Sequence, residues 1–148
     1  MDPGEQTGLS NRFKKYEEIV SSHQFHAPIS RLLDMKMTAI EPGMAKFELD
    51  VREDFLNSIN TVQGGVIGIM ADAAMGISMG SLLNDEQAFT TLEFKINFIR
   101  PVSAGHLTAV GSVPHHGRTT GYTEAVVTNE DGKLVAKAVG TCLIFPAR

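Results

Sequence analysis

The most constraining feature of this sequence is a run of apolar and small residues from Val66 to Leu83, about eighteen residues long, opened by Gly64-Gly65 and interrupted by one carboxylate, Asp72. Length and hydropathy alone would suit a membrane span. Asp72 near the middle argues against that, as do the small residues Gly68, Ala71, Ala73, Ala74, Gly76, Ser78 and Gly80. Gly76 and Gly80 have the spacing of a membrane dimer motif, yet the same spacing lets a sheet approach a helix backbone closely. A helix that is apolar on nearly every side must be enclosed by other protein. The rest of the chain has to supply the enclosure.

What surrounds the run is patterned as strands. Met35 to Ile40 and Met44 to Val51 flank the turn signature Glu41-Pro42-Gly43. In the second of these, Ala45, Phe47, Leu49 and Val51 alternate with Lys46, Glu48 and Asp50, as in a half-buried strand. After the apolar run, Phe89 to Arg100 sets Leu92, Phe94, Ile96 and Phe98 against Glu93, Lys95 and Asn97, and Pro101 stops it. His106 to Val113, Thr119 to Asn129 and Lys133 to Phe145 complete a meander, with Asn129 to Gly132 as a hairpin turn. Upstream, Phe13 to Gln24 has helical spacing with Ser10 or Asn11 as cap, Pro28 resets the chain, and Ile29 to Leu33 forms a further short turn. An antiparallel sheet must cover its apolar face, and the long helix is the element able to do so. The expected architecture is α+β: a curved antiparallel sheet wrapped around one long central helix, in a single domain over residues 12–148 behind a frayed start at 1–11.

Charge narrows the partners. The chain has 148 residues and a formal net charge of −4, with Lys and Arg scattered along it. Nucleic-acid binding needs a concentrated basic surface, so nucleic acid is not the expected partner. A lone Cys142 excludes an intramolecular disulfide and suits a reducing compartment. Met1 to Asn11 is polar, without the basic-then-apolar pattern of an export leader, and the expectation is a cytoplasmic protein.

Chemistry-bearing residues gather around the start of the apolar run. Gly64-Gly65 opens the helix, so backbone N–H groups there have no intrahelical acceptor and lie at the positive end of the helix dipole. Such donors can hold a developing oxyanion, although Gly-Gly before a helix is also what a plain tight turn looks like. Asp72, about two turns on, is costly in an apolar helix unless hydrogen-bonded, paired or placed on a wet cleft. Asn57, Ser58, Asn60 and Gln63 in the preceding loop can bind a carbonyl or a water, or simply be solvated. His115-His116-Gly117-Arg118-Thr119 at a strand junction is either a polar hairpin loop or a set of donors for phosphate. His115 and His116 are poor metal ligands together, because adjacent strand residues point to opposite faces. His23 and His26 are expected at the surface or in packing, and Cys142 in the core, with no base beside it in sequence.

Taken in order, Asn57, Gln63-Gly64-Gly65 and Asp72-Ala73-Ala74-Met75-Gly76 resemble the signature of the hotdog-fold thioesterases of the phenylacetate-degradation (PaaI) type. The run Thr91 to Pro101, then Gly105-His106-Leu107, then Gly132 to Thr141 resemble the strands that follow in that family, so the likeness covers roughly Met35 to Pro146. One position departs: Gln63 stands where the family usually carries His. Gln can replace a His that orders the loop by hydrogen bonds, but not one that acts as acid or base.

The resemblance implies the hotdog fold and hydrolysis of an acyl-CoA thioester, with an aryl-acyl or medium-chain acyl group, to the free acid and CoA. It implies catalytic roles for the Gly64 amide and Asn57 on the carbonyl, for Asp72 as general base or nucleophile, and for Thr91 as a hydroxyl orienting the water or the Asp. Gln63, Gly65, His116, Gly117 and Arg118 are the accompanying substrate-binding candidates. CoA is then part of the substrate, with no separate cofactor and no metal. The family builds its site between subunits, which implies a homodimer at least and a homotetramer as the usual assembly. Two rival readings differ in chemistry: a non-catalytic acyl-CoA-binding sensor, and an acyl-thioester hydratase on the same fold.

Overall fold

The computed structural model describes residues 9–23 and 27–148; residues 1–8 of the expected frayed start, Gln24 and His26 lie outside them. Helix α1 (Asn11–Ser22) begins where the Ser10 hydroxyl accepts the Phe13 N–H at 3.1 Å, which fixes Ser10 as its cap. Then come α2 (Pro28–Leu33), β1 (Lys36–Glu41), β2 (Met44–Asp50), a single 3-10 turn (Glu53–Phe55), α3 (Gly64–Gly80), β3 (Gln87–Phe98), β4 (His106–His116), β5 (Thr120–Asn129) and β6 (Leu134–Pro146). The strands form one six-stranded antiparallel sheet in the order β1-β2-β4-β5-β6-β3. The sheet curves around α3, the architecture expected from the sequence. Among the described residues no helix is long and apolar enough to cross a membrane.

The core lies between sheet and helix. Ala45, Phe47 and Leu49 of β2, Leu107 and Ala109 of β4, Ala125 and Val127 of β5 and Ala136 and Ala138 of β6 all turn inward onto Met70, Ala71, Ala74 and Met75 of α3. Each buried Leu, Phe or Met there contributes about 1.5–3 kcal/mol. The approach is closest at β4: a Cβ on Gly111 would lie 2.2 Å from the Ala74 carbonyl oxygen, so only glycine lets strand and helix backbones meet.

Two expectations need correction. The helix opens at Gly64, as expected, but stops at Gly80 short of the end of the apolar run, and Leu83 packs into the core from the turn beyond the helix. Apolar pattern persisted where helical structure did not. The period-two reading of β3 also breaks. Thr91 pairs with Cys142 and Glu93 with Thr141, leaving Leu92 as an inserted residue, 57% exposed. A bulge of this kind re-aims the side chains around it. Here it turns both Thr91 and Phe94 toward α3.

The facing surfaces of β3 and α3 explain each other. Gly64, Gly68, Asp72, Gly76 and Gly80 recur at every fourth residue and so share one helical face. Phe98 lies against Gly64, Phe94 against Gly68, and Phe89 against Gly76 and Gly80. At Asp72 the aromatic series is interrupted by Thr91.

Candidate active site

Asp72 and Thr91 form the polar pair in that apolar seam. The Thr91 hydroxyl donates to the Asp72 carboxylate at 2.9 Å, and both residues are half-buried. Among the described residues no cation pairs with Asp72, so the hydroxyl is what compensates a carboxylate held on a core helix. Cys142 stands opposite Thr91 in the ladder and is fully buried. Burial pushes its thiol above the ordinary range, the Asp72 charge adds to this, and hydrogen bonding to Thr91 opposes it. A thiol held protonated in packing is no nucleophile, which agrees with the core role expected for it.

At the other end of the same helical face, the first turn of α3 is open. Gln63 caps it through backbone geometry alone, without a side-chain hydrogen bond, and is exposed. Val66 N–H reaches the Gln63 carbonyl at 2.9 Å, while no acceptor meets the Gly64 and Gly65 amides among the described residues. Gly65 faces open space, with nothing within 4 Å of where a Cβ would be. Gly64 does not: its Cβ would lie 2.8 Å from the Phe98 ring. The glycine at Gly64 therefore makes room for an aromatic side chain of the protein itself.

Asn57 has a structural task. Its side-chain oxygen accepts the backbone N–H groups of Ile59 at 3.0 Å and Thr61 at 3.1 Å, and its amide donates to the Thr61 hydroxyl at 3.0 Å. This Asx-type turn holds the loop, which is anchored below by Val62 N–H to Val102 and Gln63 N–H to Phe55. Asn60 takes a left-handed conformation, φ 59°, and with Ser58 points to solvent. Asn57 and Gly64 nonetheless share one cavity of about 420 Å³ with Thr61, Val62, Ile67 and residues 98–102.

Within one chain the structure does not bring Asp72 to Gly64. Eight residues of helix separate them, ~12 Å along the axis, which is too far for both to serve one carbonyl. His116, Gly117 and Arg118 lie in the exposed β4–β5 hairpin, with His116 Nδ1 3.3 Å from the Gly117 carbonyl oxygen. Arg118 and Thr119 line a cavity of about 800 Å³ with Gln87, Phe145 and Arg148. Arg148 and Phe98 were not among the sequence candidates. Only the β3–β6 pairing and the packing on Gly64, neither encoded by a local motif, bring them to these places. Among the described residues no three His, Cys, Asp or Glu side chains are arranged to hold a metal ion.

The family model of the thioesterase superfamily matches residues 59–136, just over half of the chain. A candidate esterase of Saccharolobus solfataricus is 34% identical, over 93% of this chain and 95% of that one. The acyl-coenzyme A thioesterase PaaI of Escherichia coli is 29% identical, over 72% of this chain and 75% of that one. The solved structure of the E. coli PaaI protein superposes with a TM-score of 0.80 at 23% identity, covering 93% of this chain and 96% of that chain. The chain belongs to the thioesterase superfamily, as a thioester hydrolase on the hotdog fold.

Proposed function

We propose that the protein hydrolyses acyl-CoA thioesters carrying an aryl-acyl or medium-chain acyl group, in a site shared by two copies of the chain. The observation that carries this reading is the 2.9 Å bond between Thr91 and Asp72, on the same helical face as unpaired amides that lie out of Asp72's reach. Strand β3 forms one edge of the sheet, is 12 residues long and exposes Leu92 and Phe98. A long edge strand, with its row of unpaired N–H and C=O groups, is a template for pairing. Antiparallel pairing of two β3 edges would carry the Gly64 end of one helix toward the Asp72 of the partner subunit, and a homotetramer of two such dimers is the expected assembly.

In this site the Gly64 N–H, flanked by Gly65, holds the thioester carbonyl as negative charge develops on oxygen. Such a donor is worth about 10²–10³ in rate. Asp72 of the partner subunit drives a water onto the carbonyl carbon, as base or through a transient acyl-carboxylate anhydride. On the first route the carbon–sulfur bond breaks after water has added; on the second, attack by the carboxylate breaks it and water then splits the anhydride, and on both CoA leaves as the thiol. Thr91 orients Asp72. Asn57 acts first by holding the loop that presents Gly64, and Gln63 is fixed there by its backbone N–H to the Phe55 carbonyl and takes no part in proton transfer.

The charged end of CoA has a separate place. From Thr91 to Gln87 the strand runs ~13 Å, leading away from the reacting carbonyl. The cavity lined by Arg118, Thr119 and Arg148, with Asp85 and Glu86 also on its wall, begins there, next in sequence to His116 and Gly117. The two guanidinium groups and the Thr119 hydroxyl are suited to the CoA phosphates, and the Asp85 carboxylate is already engaged by the Asn11 and Arg12 N–H groups.

Free-thiol release from a panel of acyl-CoAs tests the reading. Asp72→Asn should lower kcat by about 10²–10⁴ while leaving thermal unfolding near wild type. Tight binding without thiol release would instead make the chain a sensor, and an altered acyl group still esterified to CoA would make it a hydratase.

A further inference from the structure

The cavity that holds the Gly64 amide has a wall that the reaction chemistry does not require. The Phe98 ring meets Gly64 with its tip: a Cβ there would be 2.8 Å from Cζ and 3.2 Å from each Cε. Away from that tip the side chain is largely open, Phe98 being 55% exposed. Around the same cavity of about 420 Å³ stand Val62, Ile67, Ile99, Pro101 and Val102, with Asn57, Thr61 and Arg100 as its polar members and no carboxylate among them. Its volume falls within the ordinary range for small-molecule pockets. A carbonyl oxygen on the Gly64 N–H has a sulfur on one side and the acyl group on the other. The sulfur arm has to run toward its phosphates, and apolar walls do not favour those. The acyl group is the part of the substrate that these walls fit.

We propose that Phe98 is a specificity-determining residue whose ring sets the size of acyl group accepted beside the Gly64 amide. This rests on the thioesterase reading above and adds to it a residue and a selection rule. The ring's underside is glycine, so the wall consists of one side chain with nothing bulky behind it. Replacing that side chain changes the room available without touching Asp72, Thr91 or the amide donor.

The test is the chain-length profile of kcat/KM on straight-chain acyl-CoAs from acetyl to dodecanoyl, for wild type, Phe98→Ala, Phe98→Leu and Phe98→Trp. One methylene of fit is worth about 10–200-fold in discrimination. Phe98→Ala should therefore move the optimum to longer chains and raise the octanoyl-to-butyryl ratio by about tenfold or more. Phe98→Leu should fall between, and Phe98→Trp should move the optimum to shorter chains. Sedimentation and thermal unfolding accompany each variant, because Phe98 ends an edge strand. A shift that appears only in variants that have dissociated or unfolded overturns the proposal. Superimposable profiles overturn it as well, and they leave the thioesterase reading intact if Asp72→Asn is inactive. A wild-type chain that releases thiol from none of these substrates, nor from an aryl-acetyl-CoA assayed beside them, removes both.

Discussion

Asp72 occupies the position in the glycine face of α3 where a ring from β3 would otherwise have packed, and Thr91 replaces that ring. The two changes belong together. A carboxylate among Phe89, Phe94 and the helix backbone would lose hydration without compensation, and a hydrogen bond to a charged group returns about 1.5–3 kcal/mol. Thr91→Val keeps the β-branched shape and removes the donor. The expected result is a fall in kcat of about tenfold, corresponding to roughly 1.4 kcal/mol, with KM little changed and the fold intact. Thr91→Ser should restore most of the rate by returning the hydroxyl. If Thr91→Val has wild-type kcat, the hydroxyl has no part in orienting Asp72. Asp72 itself was legible from sequence, because a lone acid in an apolar helix demands an explanation. The structural duty of Asn57 was not, since the Asx-type turn depends on where Ile59 and Thr61 place their N–H groups.

At the scale of elements, α1 is held by its start. The Asp85 carboxylate accepts the Asn11 N–H at 3.1 Å, the Asn11 side-chain amide at 2.8 Å and the Arg12 N–H at 3.2 Å. It thus serves as an acid at a helix N-terminus, supplied from the turn after α3. Arg12 returns the contact through its guanidinium to the Asn84 and Gln87 carbonyls. These bonds, the Asn11 N–H foremost, hold the Asp85 carboxyl below its ordinary 3.8. A depressed carboxylate contributes its stabilisation in full above its unfolded value and loses it as pH falls through the folded value. The docking of α1 should therefore weaken below about pH 3.8, seen as shifts of the amides of residues 12–20 and of Tyr16, whose hydroxyl lies against Gly80. Asp85→Asn should loosen α1 at neutral pH and flatten that acid response. An acid transition identical in the variant would show that Asp85 does not anchor the helix. This contact spans more than seventy residues of sequence, so no local pattern announces it. The order of helices and strands was legible because their periodicities are local. The bulge at Leu92 was not, because alternation in the letters cannot show that one residue lies outside the ladder.

For the whole molecule, the separation of Gly64 from Asp72 along a straight helix turns a question of mechanism into one of assembly. Gly64 is the first residue of α3, and Gln63 before it has φ −57° and ψ 129°, a conformation that proline tolerates in its predecessor. Proline is also well suited to the first helical position. Gly64→Pro therefore deletes the amide donor with little strain in the backbone, and the Phe98 tip, which a Cβ at this position would meet at 2.8 Å, has to turn outward. Alone it should lose about 10²–10³ in kcat, and Asp72→Asn alone should be equally deficient. If each site takes its amide from one subunit and its acid from the other, mixing the two inactive proteins under conditions of subunit exchange creates heterodimers. Each has one site with both groups intact and one with both lost. With random reassortment about a quarter of wild-type activity should return, because half of the dimers are mixed and half of their sites are whole. Recovery should rise with time of exchange and be lost on dilution below the dimer dissociation constant. A site contained within one chain predicts no recovery at any mixing ratio, and that outcome would remove the shared site while leaving the fold and its family untouched.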